Sequence, residues 1–155
     1  MATAADARRM QAVIDRVRRY GVTVREMPGW QTRGRDFART PVGIVDHHDA
    51  STRKSGEWGA LGYILSGSPI APLSQFQVAR ALDGVPKVAV VAAGICNHAG
   101  KGGPTRFGPT TVPVDAGNAW LYGAEKANDG LSEPYTAAAH YATDALFRAV
   151  LEVIS

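Results

Sequence analysis

PVGIVDHHDAS, residues 41–51, runs from a proline through β-branched residues into two adjacent histidines and ends in Asp, Ala and Ser. Pro41 fits the entry to an extended segment, so Val42–His48 reads as a strand, followed by turn-like chain from 49 to 58. Successive strand side chains point to opposite faces. His47 therefore shares a face with Val45 and Asp49, and His48 shares the other with Ile44 and Asp46. The two imidazoles cannot easily ligate one ion together, so at most one is a metal ligand. A hydrogen-bonded structural histidine is the alternative for each.

Upstream of this strand, Met10, Val13, Ile14, Val17 and Tyr20 recur at helical spacing with arginines between them. Residues 6–20 are thus an amphipathic helix closed by Gly21. Val22–Met27 alternates as a short strand, and PGWQTRGR at 28–35 is a loop. Downstream, GALGYIL at 59–65 fits either a short helix or a strand. Ser74–Arg80 alternates polar and apolar, Asp83-Gly84 is a turn, and Val85–Ala93 is a β-branched run; together they predict an antiparallel hairpin. AGICNHAGKGGPTRFGP, residues 93–109, is too rich in Gly and Pro for a regular element, so its chemistry sits on a loop. Trp120–Ala127 reads as a further strand. Ser132 is the expected N-cap of a last helix with Glu133 and Pro134 in its first turn and an apolar stripe of Ala138, Tyr141, Ala142, Ala145, Ala149 and Val153. The order α, β, β, hairpin, β, α predicts one α/β domain over 1–155, a mixed central sheet flanked by helices.

The chain has 155 residues, 45% hydrophobic and 20% charged, enough for one buried core without staples. Its net charge of +3 is mild. Arg8, Arg9, Arg16, Arg18 and Arg19 cluster on the first helix, a pattern of a solvated face or of attraction to an anionic polymer. Nothing pairs them with base-reading or stacking residues, so a nucleic-acid partner is not expected. The single cysteine, Cys96, precludes an internal disulfide and fits a reducing compartment. The opening MATAADARRMQAV lacks the apolar core of a signal peptide, and no run of about 18 apolar residues occurs, so neither self-export nor membrane insertion is expected.

Several residues could carry chemistry. His98 lies on the Gly-rich loop, where backbone can approach a ligand closely; a surface histidine is the plainer reading. Glu125 is a carboxylate inside an otherwise apolar strand, which needs either a Lys or Arg partner or a role as general base. Cys96 has no Cys-His-Asn constellation around it and reads as a small buried thiol. His140 and Asp144, at i and i+4, could share a metal, although that spacing is common by chance.

Read together, these segments resemble the zinc-dependent N-acetylmuramoyl-L-alanine amidases of the phage endolysin and peptidoglycan-recognition (amidase type 2) family. VREMPGWQTRGRDF is similar to the lead-in of many actinobacterial phage lysins. DHHDAS resembles the family's strand-end His-His-Thr-Ala, ICNHAGKG its His-Ala-Gly loop, and NAWLYGAEKANDGLSEP its Asn-x-x-x-x-Gly-x-Glu strand with the Asn-Asp-Gly turn. The likeness runs from about residue 22 to the end. It implies a mixed sheet with helices packed on it and a groove across one face. It makes His47 the first zinc ligand and Glu125 the acid/base carboxylate, with His98, Asn97, His48 and Asn128 along the substrate groove. The reaction implied is hydrolysis of the amide between N-acetylmuramic acid and L-alanine in bacterial peptidoglycan, with zinc polarising the carbonyl and activating water.

A catalytic zinc needs three protein ligands and an open position. The family's second histidine and its third ligand, Asp or Cys, follow the last helix in a Gly-His segment, and no other histidine of this sequence occupies those positions. The resemblance therefore implies an amidase-like domain incomplete at its C-terminal end, with zinc ligands supplied in cis or trans by a C-terminal segment, a complementing chain or self-association. A peptidoglycan-binding module that does not cut is the alternative. A phage lysin of this kind is expected in the host bacterial cytoplasm until the membrane is breached.

Overall fold

The Thr3 hydroxyl accepts from the Asp6 N–H while the Asp6 carboxylate accepts from the Thr3 N–H. This reciprocal cap starts the first helix, α1 (Ala4–Arg19), slightly ahead of the residue 6 that periodicity alone suggests. Met10, Val13, Ile14 and Val17 are buried as their spacing predicts, and the chain reverses at Gly21, whose φ of 76° suits glycine. In the computed structural model, which describes residues 1–67 and 72–155, there follow β1 (Thr23–Glu26), β2 (Gly43–His48), a 3-10 turn (Arg53–Ser55) and α2 (Leu61–Ser66). Then come β3 (Phe76–Val78), β4 (Lys87–Val90), β5 (Thr105–Phe107), β6 (Thr110–Val112), α3 (Gly117–Trp120), β7 (Leu121–Lys126) and α4 (Ala137–Ile154).

Five strands form one mixed sheet in the order β1-β4-β3-β7-β2. The β3–β4 pair is antiparallel, and the other three pairings are parallel. The chain is thus a single α/β domain with a mixed central sheet flanked by helices. Side chains of Ile44, Phe76, Val78, Val88, Val90, Tyr122 and Ala124 share one core with α1 and α4. On the opposite face, Ala89 and Val91 pack with Met27 and with Leu61 and Ile64 of α2 in a smaller cluster. Fully burying one such aliphatic side chain contributes about 1.5–3 kcal/mol, so the two-helix face dominates cohesion. The second face is left partly open for other chemistry.

Several local expectations change. The ambiguous segment 59–65 is helical, with Leu61 and Ile64 buried. Residues 93–109 do contain a regular element: β5 pairs antiparallel with β6 in a separate two-stranded hairpin turned at Gly108, whose φ is 55°. Glycine and proline there mark the turn rather than forbid the strands. Trp120 ends α3, and the strand begins at Leu121. Ser132 does not cap the last helix. Thr136 does, accepting from the Ala139 N–H, while Asp129 gathers the N–H groups of Leu131, Ser132 and Glu133 into a turn before it. The buried stripe of α4 runs through Ala139, Ala142, Ala145, Leu146, Ala149 and Val150, and Tyr141 is half exposed with its hydroxyl donating to the Tyr20 carbonyl. Among the described residues no helix is long and apolar enough to cross a membrane.

Candidate functional site

The site is created by the pairing of β2 with β7, which lie side by side and parallel although about half the chain separates them. Register places His47 beside Glu125 and Val45 beside Gly123, while β3 places Gln77 on the other flank of Glu125. Because side chains alternate, His47, Glu125 and Gln77 all project on the face opposite α1 and α4. His98 joins them from the Gly-rich loop. Its side chain sits over Gly123, where any Cβ would overlap it. Glycine is therefore required at 123 for close approach, and the Gly123 N–H is in turn held by the Gln75 side chain at 2.7 Å.

Electrostatics on this face are unusual. Burial pushes the Glu125 carboxyl up to about 7, and the negative charges of Asp49 and Asp46 add to the shift. Such a group exchanges its proton near neutrality. Burial pulls His98 down to about 4; the hydrogen bond to the Leu121 carbonyl opposes this and the neighbouring His47 reinforces it. His98 Nε2 lies 3.0 Å from the Leu121 carbonyl oxygen. A carbonyl only accepts, so Nε2 carries the proton and Nδ1 presents a lone pair. Among the described residues, the buried atoms His47 Nε2, His98 Nδ1 and Gln77 Oε1 have no hydrogen-bond partner. The His47 and His98 ring centroids are 6.1 Å apart.

His47 opens into a cleft of about 220 Å³ between the sheet and the Gly-rich loop. Val45, Phe107, Val112 and Leu121 make its apolar lining, and Lys101 and Asp115 bring charge. The loop is held in place by Asn118, whose amide both accepts from the Ala99 N–H at 2.7 Å and donates to the Ala99 carbonyl at 3.0 Å. The structure thus brings His47, Glu125 and His98 together.

It places the other candidates elsewhere. His48 projects on the opposite face beside Gly130. Asn97 accepts from the Arg35 guanidinium at 3.1 Å. Asn128 is a turn brace, accepting from the Gly130 N–H and donating to the Glu133 carbonyl. Cys96 is buried, and its thiol is pushed well up by burial, as befits the inert reading. His140 packs edge-on against Tyr135.

Two residues that sequence reasoning passed over support the site. Asp49 accepts from the Ser51 N–H and hydroxyl, the Ala60 N–H, the Gln77 amide and the Asn128 N–H. One carboxylate thereby ties the end of β2 to α2, β3 and the turn after β7. Arg80, 3% exposed, reaches the Glu133 carboxylate at 3.0 Å and the carbonyls of Ser51 and Gly56. The Asp-Ala-Ser triplet after the strand is an Asx-turn signal that could have flagged Asp49. No comparable local signal marks Arg80.

Among the described residues, no three His, Cys, Asp or Glu side chains are arranged to hold a metal. The orphaned His47 nitrogen and the neighbouring carboxylate suit one side of a zinc site and do not complete it.

Compared with known protein families, curated proteins and solved structures, the chain matches none.

Proposed function

We propose that this chain is a peptidoglycan hydrolase domain of the zinc amidase kind, acting on the amide between N-acetylmuramic acid and L-alanine. The observation that carries the reading is the in-register pair His47 and Glu125 on one open sheet face, with the carboxyl lifted to about 7. His47 would hold zinc through the buried Nε2, and remaining ligands come from another segment or chain. Bound zinc supplies Lewis-acid polarisation of the amide carbonyl. Glu125 takes a proton from the attacking water and returns it to the departing amine, a role suited to a group poised near neutrality. The apolar cleft beside His47 receives the substrate, and the Asn118-braced loop forms its wall.

Incubating purified peptidoglycan with zinc, the chain and a complementing segment that carries the further His and Asp or Cys ligands, and measuring newly exposed L-alanine amino groups, tests the reading. Release is expected with the complement and little from the chain alone, with loss in Glu125→Gln and His47→Ala; no release with the complement present overturns it. The incomplete ligand set among the described residues favours a second reading, a wall-binding module that does not cut. Sedimentation with cell walls that persists in chelator, without new amino groups, would select it.

A further inference from the structure

We infer that Lys101 is a specificity-determining residue of the cleft beside His47: its ammonium takes a carboxylate of the bound ligand, so stem peptides whose second residue keeps a free carboxyl are preferred over amidated ones. The inference rests on the peptidoglycan reading above and adds to it which wall chemistry the cleft selects.

Three observations converge. Lys101 stands among Gly100, Gly102 and Gly103 on the cleft wall, so its side chain is the one this stretch of loop presents. The loop is pinned on both sides of it. Ala99 exchanges both backbone groups with the Asn118 amide, and Gly102 does the same with Asp115: its N–H donates to Asp115 Oδ1 at 2.9 Å and its carbonyl accepts from the Asp115 N–H at 3.0 Å. That exchange holds Asp115 in a left-handed conformation, φ 57°. Asp115 is the only carboxylate lining the cleft, and it is committed to the backbone. Among the described residues, Lys101 has no ion-pair partner, whereas Lys87 holds Glu57 at 2.7 Å and Asp83 at 2.6 Å, and Lys126 holds Asp46 at 2.6 Å. Finally, the charges are distributed with a direction. Glu125, with Asp46 and Asp49 around it, stands at the strand-end side of His47, and Lys101 stands on the loop side. A ligand carboxylate is repelled from the first and attracted to the second, which also orients the peptide in the cleft. Arg106 does not share this role: Thr105 and Phe107 line the cleft, so the residue between them projects on the other face of the hairpin.

Titrating the full chain with N-acetylmuramoyl-L-alanyl-D-isoglutamine and with its free-acid counterpart, followed by backbone-amide NMR, tests this without zinc or turnover. The free acid is expected to bind about 3–10-fold more tightly at low salt, with shifts at Lys101 and its flanking glycines, and the margin is expected to shrink as salt rises. Lys101→Met keeps the apolar stem and should erase the margin, while Lys101→Arg keeps the charge and should preserve it. Arg106→Gln should preserve it as well. Lys101 is exposed, so these variants are expected to melt with the parent, and melting curves verify this. Equal affinity for the two ligands, a margin that survives Lys101→Met, a margin lost in Arg106→Gln, or no binding of either ligand overturns the inference. Failure of the hydrolase reading looks different: the margin is present and follows Lys101, while the complemented chain releases no amino groups from peptidoglycan.

Discussion

Replacing Glu125 by glutamine in metal-free protein probes the electrostatics of the site without requiring activity. A carboxyl that titrates at about 7 instead of its ordinary 4.5 is protonated more readily in the folded chain than in the unfolded one. The stability associated with it is therefore fully present below pH 4.5 and is lost as the pH rises through about 7. Once ionised, the group costs the fold up to about 3 kcal/mol, and solvent screening at this half-buried position brings the expectation to about 2 kcal/mol. Glutamine has the same shape and never ionises. Glu125→Gln should thus match the parent at pH 4 and exceed it at pH 8 by about 2 kcal/mol, or roughly 4–8 °C in melting temperature for a chain of this length. Urea unfolding at both pH values in the presence of chelator gives the comparison, and carboxyl-carbon NMR gives the titration itself. A stability difference of the same size at pH 4 and pH 8, or a carboxyl midpoint near 4.5, would refute the argument that burial and the two aspartates lift this group.

Other perturbations read the supports. Gly123→Ala drives a methyl group into the His98 side chain and should cost about 1–3 kcal/mol in urea unfolding. Asp49→Ala strips the shared acceptor from donors on four segments and should cost more than about 3 kcal/mol, measured by thermal and chemical denaturation. Arg80→Ala leaves the Glu133 carboxylate buried without its partner and should cost about 3–5 kcal/mol; the double change Arg80→Met with Glu133→Gln should recover a large part of it in the same assay.

Local periodicity carried most of the scaffold. The stripe of α1 and the β-branched strands are visible because each buries one face against a continuous core, and burial selects apolar residues at 3.6- or 2-residue spacing. The alternation in SQFQVAR was legible as a strand, yet its polar positions are not solvent-facing: Gln77 on the central strand β3 and Gln75 just before it are fully buried and spend their amides on Gly94, Gly123 and Asp49. Local pattern cannot distinguish a polar residue facing water from one facing a buried acceptor. The same limit explains the helix caps. Ser132 and Thr136 are both suitable residues, and the choice fell to Thr136 because Asp129 folds the intervening residues into a turn. For the site, His47, His98 and Glu125 were each legible as chemically interesting, whereas their meeting depends on strand order. Nothing in the 43–51 segment by itself says that β7 will lie beside it.

That dependence on strand order bears on why the site is partly unsatisfied. Among the described residues, four buried side-chain atoms lack partners, and three of them, His47 Nε2, His98 Nδ1 and Gln77 Oε1, lie on the same sheet face around Glu125. On the other face, where α1 and α4 cover the sheet with apolar side chains, Tyr122 alone contributes the fourth. Each unmet group opposes folding by about 1–3 kcal/mol, so random imperfection would not be expected to gather beside a carboxyl already raised by burial. The same face also holds Asp49, whose hydrogen bonds are saturated, and Gln75, whose amide is satisfied at both ends. The fold can therefore satisfy polar groups at this face. Satisfied and unsatisfied polar groups thus meet on one face around Glu125, which supports the site proposed above: the satisfied groups fix its geometry, and the others are the ones a ligand would engage.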